Sequence, residues 1–328
     1  MKLYHVGADL SKKTIDFLNH QLKAFLKVDN NISGFKQLVN WFHQHGIDLS
    51  EVMIVMEHTG LYSYQLEQFL HQNGIAFTKV SALAIKRSLG LVRGKSDKMD
   101  ARRIARYAFE KQDCLSADQP VGKNLEILQR LHSTRERLVK TRASYVTAVQ
   151  EEQEAYGLKQ TDLVIAIQRK VIKTLDQQIQ KLEKEIQAII QTDKEINKNY
   201  DLLQSVKGVG PVVALCTIIK TANFTRFTNP RKFACFCGTA PFEHTSGSSI
   251  RGKTKISSLR DKKMKTLLDL AAKSAIQHDQ EIHEYYTKRI EAGKSKTSTR
   301  NVVRNKIIYR MFAVIKRQTP YQEHRTAA

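Results

Sequence analysis

The chain holds 328 residues, a formal net charge of +22 and only four cysteines. No apolar run is long enough to cross a membrane, and Met1 to Asp9 lacks the apolar core of a signal peptide, so neither a membrane partner nor secretion is expected. Cys114, Cys216, Cys235 and Cys237 have neither disulfide-framework nor zinc-knuckle spacing, which fits buried, reduced thiols in a cytoplasm.

The charge is uneven. From Ser205 to the end there are 24 Lys and Arg against 8 Asp and Glu, an excess of 16. Such a segment attracts polyanions, of which nucleic acid is the commonest. An anionic membrane surface fits less well, because no helix combines one basic and one aromatic face.

In chain order, Leu3 to Asp9 reads as a buried strand closed by an aspartate, and residues 14–18 and 22–28 as two further strands. Asn31 to His45 has helical apolar spacing. Val52 to Met56 is a continuous apolar strand closed by Glu57. Leu61 to Gln72 is a helix stopped by Asn73-Gly74, Ile75 to Val80 a strand, and Ala82 to Leu91 a helix. A loop then leads into Lys95-Ser96-Asp97-Lys98-Met99-Asp100-Ala101-Arg102-Arg103. Asp97 and Asp100, three residues apart, share a helical face and can reach one divalent cation. Asp97 is equally suited to capping the helix. Arg102 and Arg103 are placed to face nucleic acid or to pack against the coiled coil that follows.

Three meandering strands followed by alternating helices and strands argue for a mixed sheet covered by helices. Ligands in such sheets gather at the carboxyl ends of strands, where Asp9 and Glu57 fall. Those two, with Asp97 and Asp100, form a candidate carboxylate set, although an acid closing a strand is also an ordinary solvated turn residue.

From Gly122 to about Asn199 a heptad-like pattern runs through Leu128, Leu131, Leu138 and Tyr145. It breaks at the polar stretch Glu151 to Gly157 and resumes with Leu175, Ile179, Leu182, Ile186 and Ile189. This is a coiled-coil seam that pairs with the first helix, with a second copy of the chain, or with both. Lys207-Gly208-Val209-Gly210, between two apolar helices in the basic part, reads as a helix–hairpin–helix turn whose amides suit phosphate, or as a simple tight turn. Residues 224–233 read as a loop and 231–237 as a short helix. Gly238 to Ser257 reads as a loop of about twenty residues, a length usually tied to function or disorder. It contains Ser246, Arg251, Lys253 and Lys255, with Arg260 just beyond. Ser258 to Gln277 and Glu281 to Ala292 are helices, Lys294 to Arg300 a basic linker, and Asn301 to Arg317 a last basic helix.

The element order and the Asp9, Glu57, Asp97, Asp100 pattern resemble the RNase H/RuvC-like nuclease fold with a DEDD carboxylate set. Ser205 to Pro211, Gly238-Thr239-Ala240-Pro241 and Thr245-Ser246-Gly247 with the basic residues after it resemble the C-terminal domain of DEDD-type insertion-sequence transposases. That is the IS110 family, related to Piv-type DNA invertases. The resemblance spans both ends of the chain in order. It implies an α/β plus α architecture: a RuvC-like mixed-sheet domain at 1–115, a helical coiled-coil domain at 116–200, and a mostly helical transposase domain at 201–328. It further implies a transposase that cleaves and exchanges DNA strands through a covalent phosphoserine link at Ser246, with Mg²⁺ held by Asp9, Glu57, Asp97 and Asp100. The implied partners are donor and target DNA, a bridge RNA that selects them, and further copies of the chain as a dimer or tetramer, in a prokaryotic cytoplasm beside the nucleoid. Lys207, Gly208, Gly210, Arg251, Lys253, Lys255, Arg260, Arg102 and Arg103 are then the expected nucleic-acid contacts. Residue 239 is Thr where the family tends to have Leu. The rival reading is a RuvC-like metal-dependent nuclease or junction resolvase that uses the carboxylates and water alone.

Overall fold

In the computed structural model, residues 3–58, 60–88, 94, 96–246 and 250–322 are described, with the backbone path alone for 243–246 and 250–255. The chain divides into two compact units, residues 1–120 and 121–328.

The first unit is built on a sheet of β1 (Tyr4–Leu10), β2 (Thr14–Asn19), β3 (Phe25–Asp29), β4 (Val52–Glu57) and β5 (Ala76–Val80). Its order is β3-β2-β1-β4-β5. The first three strands form an antiparallel meander, and β4 and β5 run parallel to β1. Four helices complete the unit: α1 (Ile32–Gln44), α2 (Tyr64–Gln72), α3 (Ala82–Ser88) and α4 (Asp97–Glu110). The sequence reading placed these elements in this order. Residues 89–91 of its third helix lie outside the described residues.

Side chains along a strand alternate between the two faces. Val6, Ala8, Ile15, Phe17, Ile54 and Met56 join the core formed with Phe35, Leu38 and Phe42 of α1 and Leu66 and Leu70 of α2. The other face carries Met53 and Val55 against Ile104 and Ala108 of α4, and Leu18 against Ala101 and Ala105. Gly7 lies on this second face. A Cβ there would fall 2.3 Å from both the Ala101 carbonyl oxygen and the Ala105 nitrogen, so only glycine lets the α4 backbone rest on β1.

The second unit opens with α5 (Lys123–Tyr156) and α6 (Leu163–Thr192), which pack as an antiparallel hairpin. Arg135 meets Glu183 at 2.6 Å, and Arg142 meets Asp176 farther along. The expected seam therefore pairs within one chain. The break in the apolar pattern at Glu151 to Gly157 is the last part of α5 and its end. Glutamate, glutamine and alanine sustain the helix, and Gly157 ends it in the left-handed region at φ +66°.

Six further helices follow: α7 (Lys194–Gln204), α8 (Pro211–Thr221), α9 (Pro230–Cys237), α10 (Lys262–His278), α11 (Gln280–Glu291) and α12 (Lys296–Arg317). Their core includes Leu203, Ile218, Phe233, Leu268, Ile307 and Met311, joined by Leu125, Leu128, Ile186 and Ile190 from the foot of the hairpin. Three expectations change here. The twenty-residue loop contains an antiparallel pair, β6 (Pro241–Ser246) and β7 (Ile250–Ile256), to which Thr245, Ile250, Thr254 and Ile256 supply β-branched residues. The basic linker is largely the start of α12, because Ser295 accepts from the Ser298 amide and caps the helix there. The residues read as a loop up to Phe233 likewise end sooner, since Asn229 caps α9 and Pro230 occupies its first turn. Of the four thiols, Cys216 and Cys237 are buried, whereas Cys114 is exposed.

Gly7→Ala is expected to destabilise the first unit by about 3 kcal/mol, the upper range for forcing extra volume into a packed contact. Urea titration of Trp41 fluorescence measures it, since Trp41 is the chain's one tryptophan and packs in this unit.

Candidate functional site

Because β1, β2 and β4 share one pleat, the residues that continue the α4 side of each strand are Asp9, Asp16 and Glu57. Asp9 and Asp16 sit directly opposite each other in the antiparallel register. The parallel register of β1 and β4 runs to Ala8 opposite Met56, one residue short of Asp9 and Glu57. The N-terminus of α4 brings Asp97 and Asp100 to the same side, held there by the contact at Gly7. Ser96, not Asp97, caps this helix: its hydroxyl accepts from the Met99 amide at 3.3 Å. Asp97 is thereby released from the capping role into the first turn, where a negative charge also suits the helix dipole.

The electrostatics register this gathering. The Asp9 carboxyl is raised to about 6, by burial first and then by the negative charges of Asp100, Asp97, Asp16 and Glu57. Two cations balance the cluster. Lys27 lies 3.5 Å from Asp16 and 3.9 Å from Asp97. Arg103 pairs with Asp100 at 2.6 Å and donates to the Gly94 carbonyl at 2.7 Å.

Among the described residues, no group of three His, Cys, Asp or Glu side chains is placed to hold a metal ion as it stands. The coupling at Asp9 and this absence are compatible, since Coulomb interaction reaches farther than a coordination bond. Asp97 and Asp100 are drawn toward Lys27 and Arg103. In chemistry the donor set fits a hard divalent cation, being all carboxylate oxygen.

Asp16 and Lys27 were not singled out from sequence. The available signal was an acid inside the otherwise apolar run Ile15-Asp16-Phe17-Leu18, at the alternation position that faces α4. Arg102 is exposed, whereas Arg103 is engaged by Asp100.

In the second unit Ser246 is the last residue of β6, paired with Ile250 across the end of the hairpin. The segment 247–249 lies outside the described residues. Arg251, Lys253 and Lys255 lie on β7. Arg260 donates to the Ser257 carbonyl at 2.8 Å, and its alkyl chain lies against Gly238. Lys207 reaches the His278 carbonyl at 3.4 Å. Gly208 has φ +89°, and a Cβ on it would meet the Ala271 carbonyl oxygen at 2.5 Å, so it serves the packing of the turn on α10. Gly210 caps α8 with open space at its Cβ position.

Two family models match the chain. One, described as Transposase and belonging to the DEDD IS110 type, covers residues 6–151. The other, described as Transposase IS116/IS110/IS902 family, covers residues 200–287. The chain is 27% identical over 332 residues to the pilin gene-inverting protein of Moraxella bovis, spanning 98% of this chain and 99% of that one. It is 24% identical over 307 residues to a probable family 20 transposase of Pseudomonas aeruginosa, spanning 84% and 85%. It is 25% identical over 213 residues, 56% of each chain, to the transposase for insertion sequence element IS1111A of Coxiella burnetii. With the mixed sheet and the helical region behind it, these matches define a DNA transposase or recombinase. Both models are of IS110-type transposases and match the chain in order, and a gene-inverting protein is among the proteins it is similar to. No helix among the described residues is long and apolar enough to cross a membrane.

Ser96→Ala is expected to cost about 1 kcal/mol through loss of the cap. Hydrogen exchange at the first-turn amides of α4 should accelerate by about fivefold, while exchange in α1 stays unchanged.

Proposed function

We propose that the protein excises and inserts an insertion sequence by exchanging DNA strands through a covalent phosphoserine link. The observation that carries this reading is the meeting of acidic charge at Asp9 from β1, β2, β4 and α4 on one side of the sheet. Asp9, Glu57, Asp97 and Asp100 would hold Mg²⁺, with Arg103 and Lys27 releasing the two α4 carboxylates. When bound, the ion lowers the cost of charge developing on the phosphoryl oxygens.

The Ser246 hydroxyl attacks a phosphorus of the DNA backbone. A serine–phosphate ester forms, the bond to one sugar oxygen breaks, and that oxygen leaves with a proton while the serine proton passes to solvent or a nearby base. Attack by the sugar hydroxyl of another strand reverses the sequence and regenerates the serine. One phosphoester replaces another at each step, so no external energy source is required. The position of Ser246 at the end of β6 supports this role, because a hairpin tip can approach a duplex without burying the strands behind it. Lys207, Gly208, Gly210, Arg251, Lys253, Lys255, Arg260 and Arg102 contact the sugar–phosphate backbone, with the Lys207–Gly210 segment acting as a helix–hairpin–helix turn. A bridge RNA encoded by the element pairs with donor and target DNA and selects the sites. The α5–α6 hairpin presents exposed Tyr156, Leu163, Val164 and Ile167, apolar surface through which two chains dimerise and pairs of dimers bring both DNAs together. The work takes place in a prokaryotic cytoplasm, at the nucleoid.

Incubation with DNA carrying the element ends is expected to give a protein–DNA adduct that survives denaturation, and Ser246→Ala to give none. Asp9→Ala and Asp100→Ala are expected to lower adduct formation about 10³-fold or more, as loss of a cooperating catalytic group does, and chelation of Mg²⁺ to do the same. Strand cleavage by Ser246→Ala without any adduct would instead identify a metal-dependent nuclease that uses water.

A further inference from the structure

The root of the β6–β7 hairpin is fastened to α12. Thr239 is fully buried, and its carbonyl accepts from the side-chain amides of Asn301 at 2.8 Å and Asn305 at 3.0 Å. Its hydroxyl meets the Asn305 carbonyl oxygen at 2.8 Å, a bond that leucine at this position would not make. The same helix carries Arg300 and Arg304, one turn apart and each next to one of those asparagines. α10 packs on α12 and carries Lys265, Asp269 and Lys273, also one turn apart. Arg304 is 7% exposed and donates to Asp269 and, at 3.3 Å, to Asn301. Lys273 reaches the same carboxylate at 3.4 Å.

The charges here do not balance. Burial pushes the Asp269 carboxyl up, but the hydrogen bond and charge of Arg304, then Lys273 and Arg300, bring it below its ordinary value. Burial lowers the Lys265 ammonium, and the positive charges of Arg260 and Arg304 lower it further against the pull of Asp269. Among the described residues, Asp269 thus stands with Arg304, Lys273, Arg300 and Lys265, and Arg260 acts on Lys265 from beyond. The Nε groups of Arg260, Arg300 and Arg304 are buried and have no acceptor among the described residues. Buried donors left unpaired and like charges held together are both costly. An anion with several acceptor oxygens relieves both at once, and guanidinium forks match phosphate geometry.

We propose that Arg260, Lys265, Arg300 and Arg304 form a phosphodiester site at the root of the β6–β7 hairpin, holding a DNA backbone phosphate a strand's length from the end of β6 that carries Ser246. The site rests on the reading of Ser246 as the nucleophile only for which strand it holds, not for its ligand. Its residues are positioning residues: they hold the strand in register with the hairpin tip while the chemistry takes place elsewhere on the same strand.

The test is equilibrium binding of the full-length protein to a short duplex DNA of arbitrary sequence, measured over a series of salt concentrations. Each phosphate contact contributes about 0.9 to the slope of log affinity against log salt. The double variant Lys265→Ala/Arg300→Ala is expected to flatten that slope by about 0.9, the share of one phosphate, with an unchanged melting temperature, and Lys265→Arg alone to keep it. Arg300→Gln, which removes the charge and keeps a polar side chain, carries the same test should the double variant not fold. An unchanged slope in a folded variant overturns the proposal, as does a slope that flattens for duplex RNA while the one for DNA stays the same. The serine reading is separate in this assay. An adduct in the wild type with no slope change removes the phosphate site alone, and a slope change with no adduct in the wild type leaves the site and removes the nucleophile.

Discussion

The contact between α4 and β1 sets the geometry of the first unit. A helix resting on a sheet is normally held off by the side chains between them. Here Gly7 removes the Cβ from the strand, and Ala101, Ala105 and Ala108 keep the helix underside small. The α4 backbone therefore descends onto β1, and its first turn stands where β1 and β4 end. The carboxylates reach one neighbourhood because of that descent. With a larger residue at position 7, α4 would move outward and take Asp97 and Asp100 with it, while Asp9 and Glu57 stayed on the strands.

Gathering acids in this way is unfavourable unless something offsets them. Lys27 and Arg103 do so within the chain, each by engaging a carboxylate of the cluster. Among the described residues the second unit shows the opposite imbalance, with Arg304, Lys273, Arg300 and Lys265 about Asp269 and the Nε groups of Arg260, Arg300 and Arg304 without an acceptor. An acidic set suited to a cation and a basic set suited to phosphate are the two charge requirements of phosphoester chemistry on DNA, and each is assembled inside its own unit by helix packing.

The first unit was largely legible in the sequence, because its strands are short apolar runs, two of them carrying Asp9 and Glu57 at their carboxyl ends, and its helices have clear periodicity. Asp16 escaped notice since an acid inside a strand reads as a solvent-facing position. Only the register with Asp9, together with α4 covering that face, shows that it points into the cluster. The second unit was harder to read, because composition conceals its elements. Gly-, Ser- and Lys-rich sequence masks a β-hairpin whose β-branched residues are spaced among small ones. Lys294 to Arg300 looks like a linker, yet the Ser295 cap commits most of it to α12. The Lys265, Arg300, Arg304 set was invisible for a different reason: its members lie on two helices far apart in sequence, and neither helix shows an unusual pattern alone.

The α5–α6 hairpin bears on how the second unit is made. Its two helices meet across a connection of only residues 157–162, and Arg142 with Asp176 and Arg135 with Glu183 pair without any later part of the chain. Contacts of this local kind form fast, whereas those joining α8, α10 and α12 must wait for distant segments. During synthesis the hairpin is complete before α7 emerges, so Leu125, Leu128, Ile186 and Ile190 already stand together as an apolar platform. The later helices then collect on a preformed surface, which spares a strongly basic stretch a search for its core while it is still exposed to every polyanion in its surroundings.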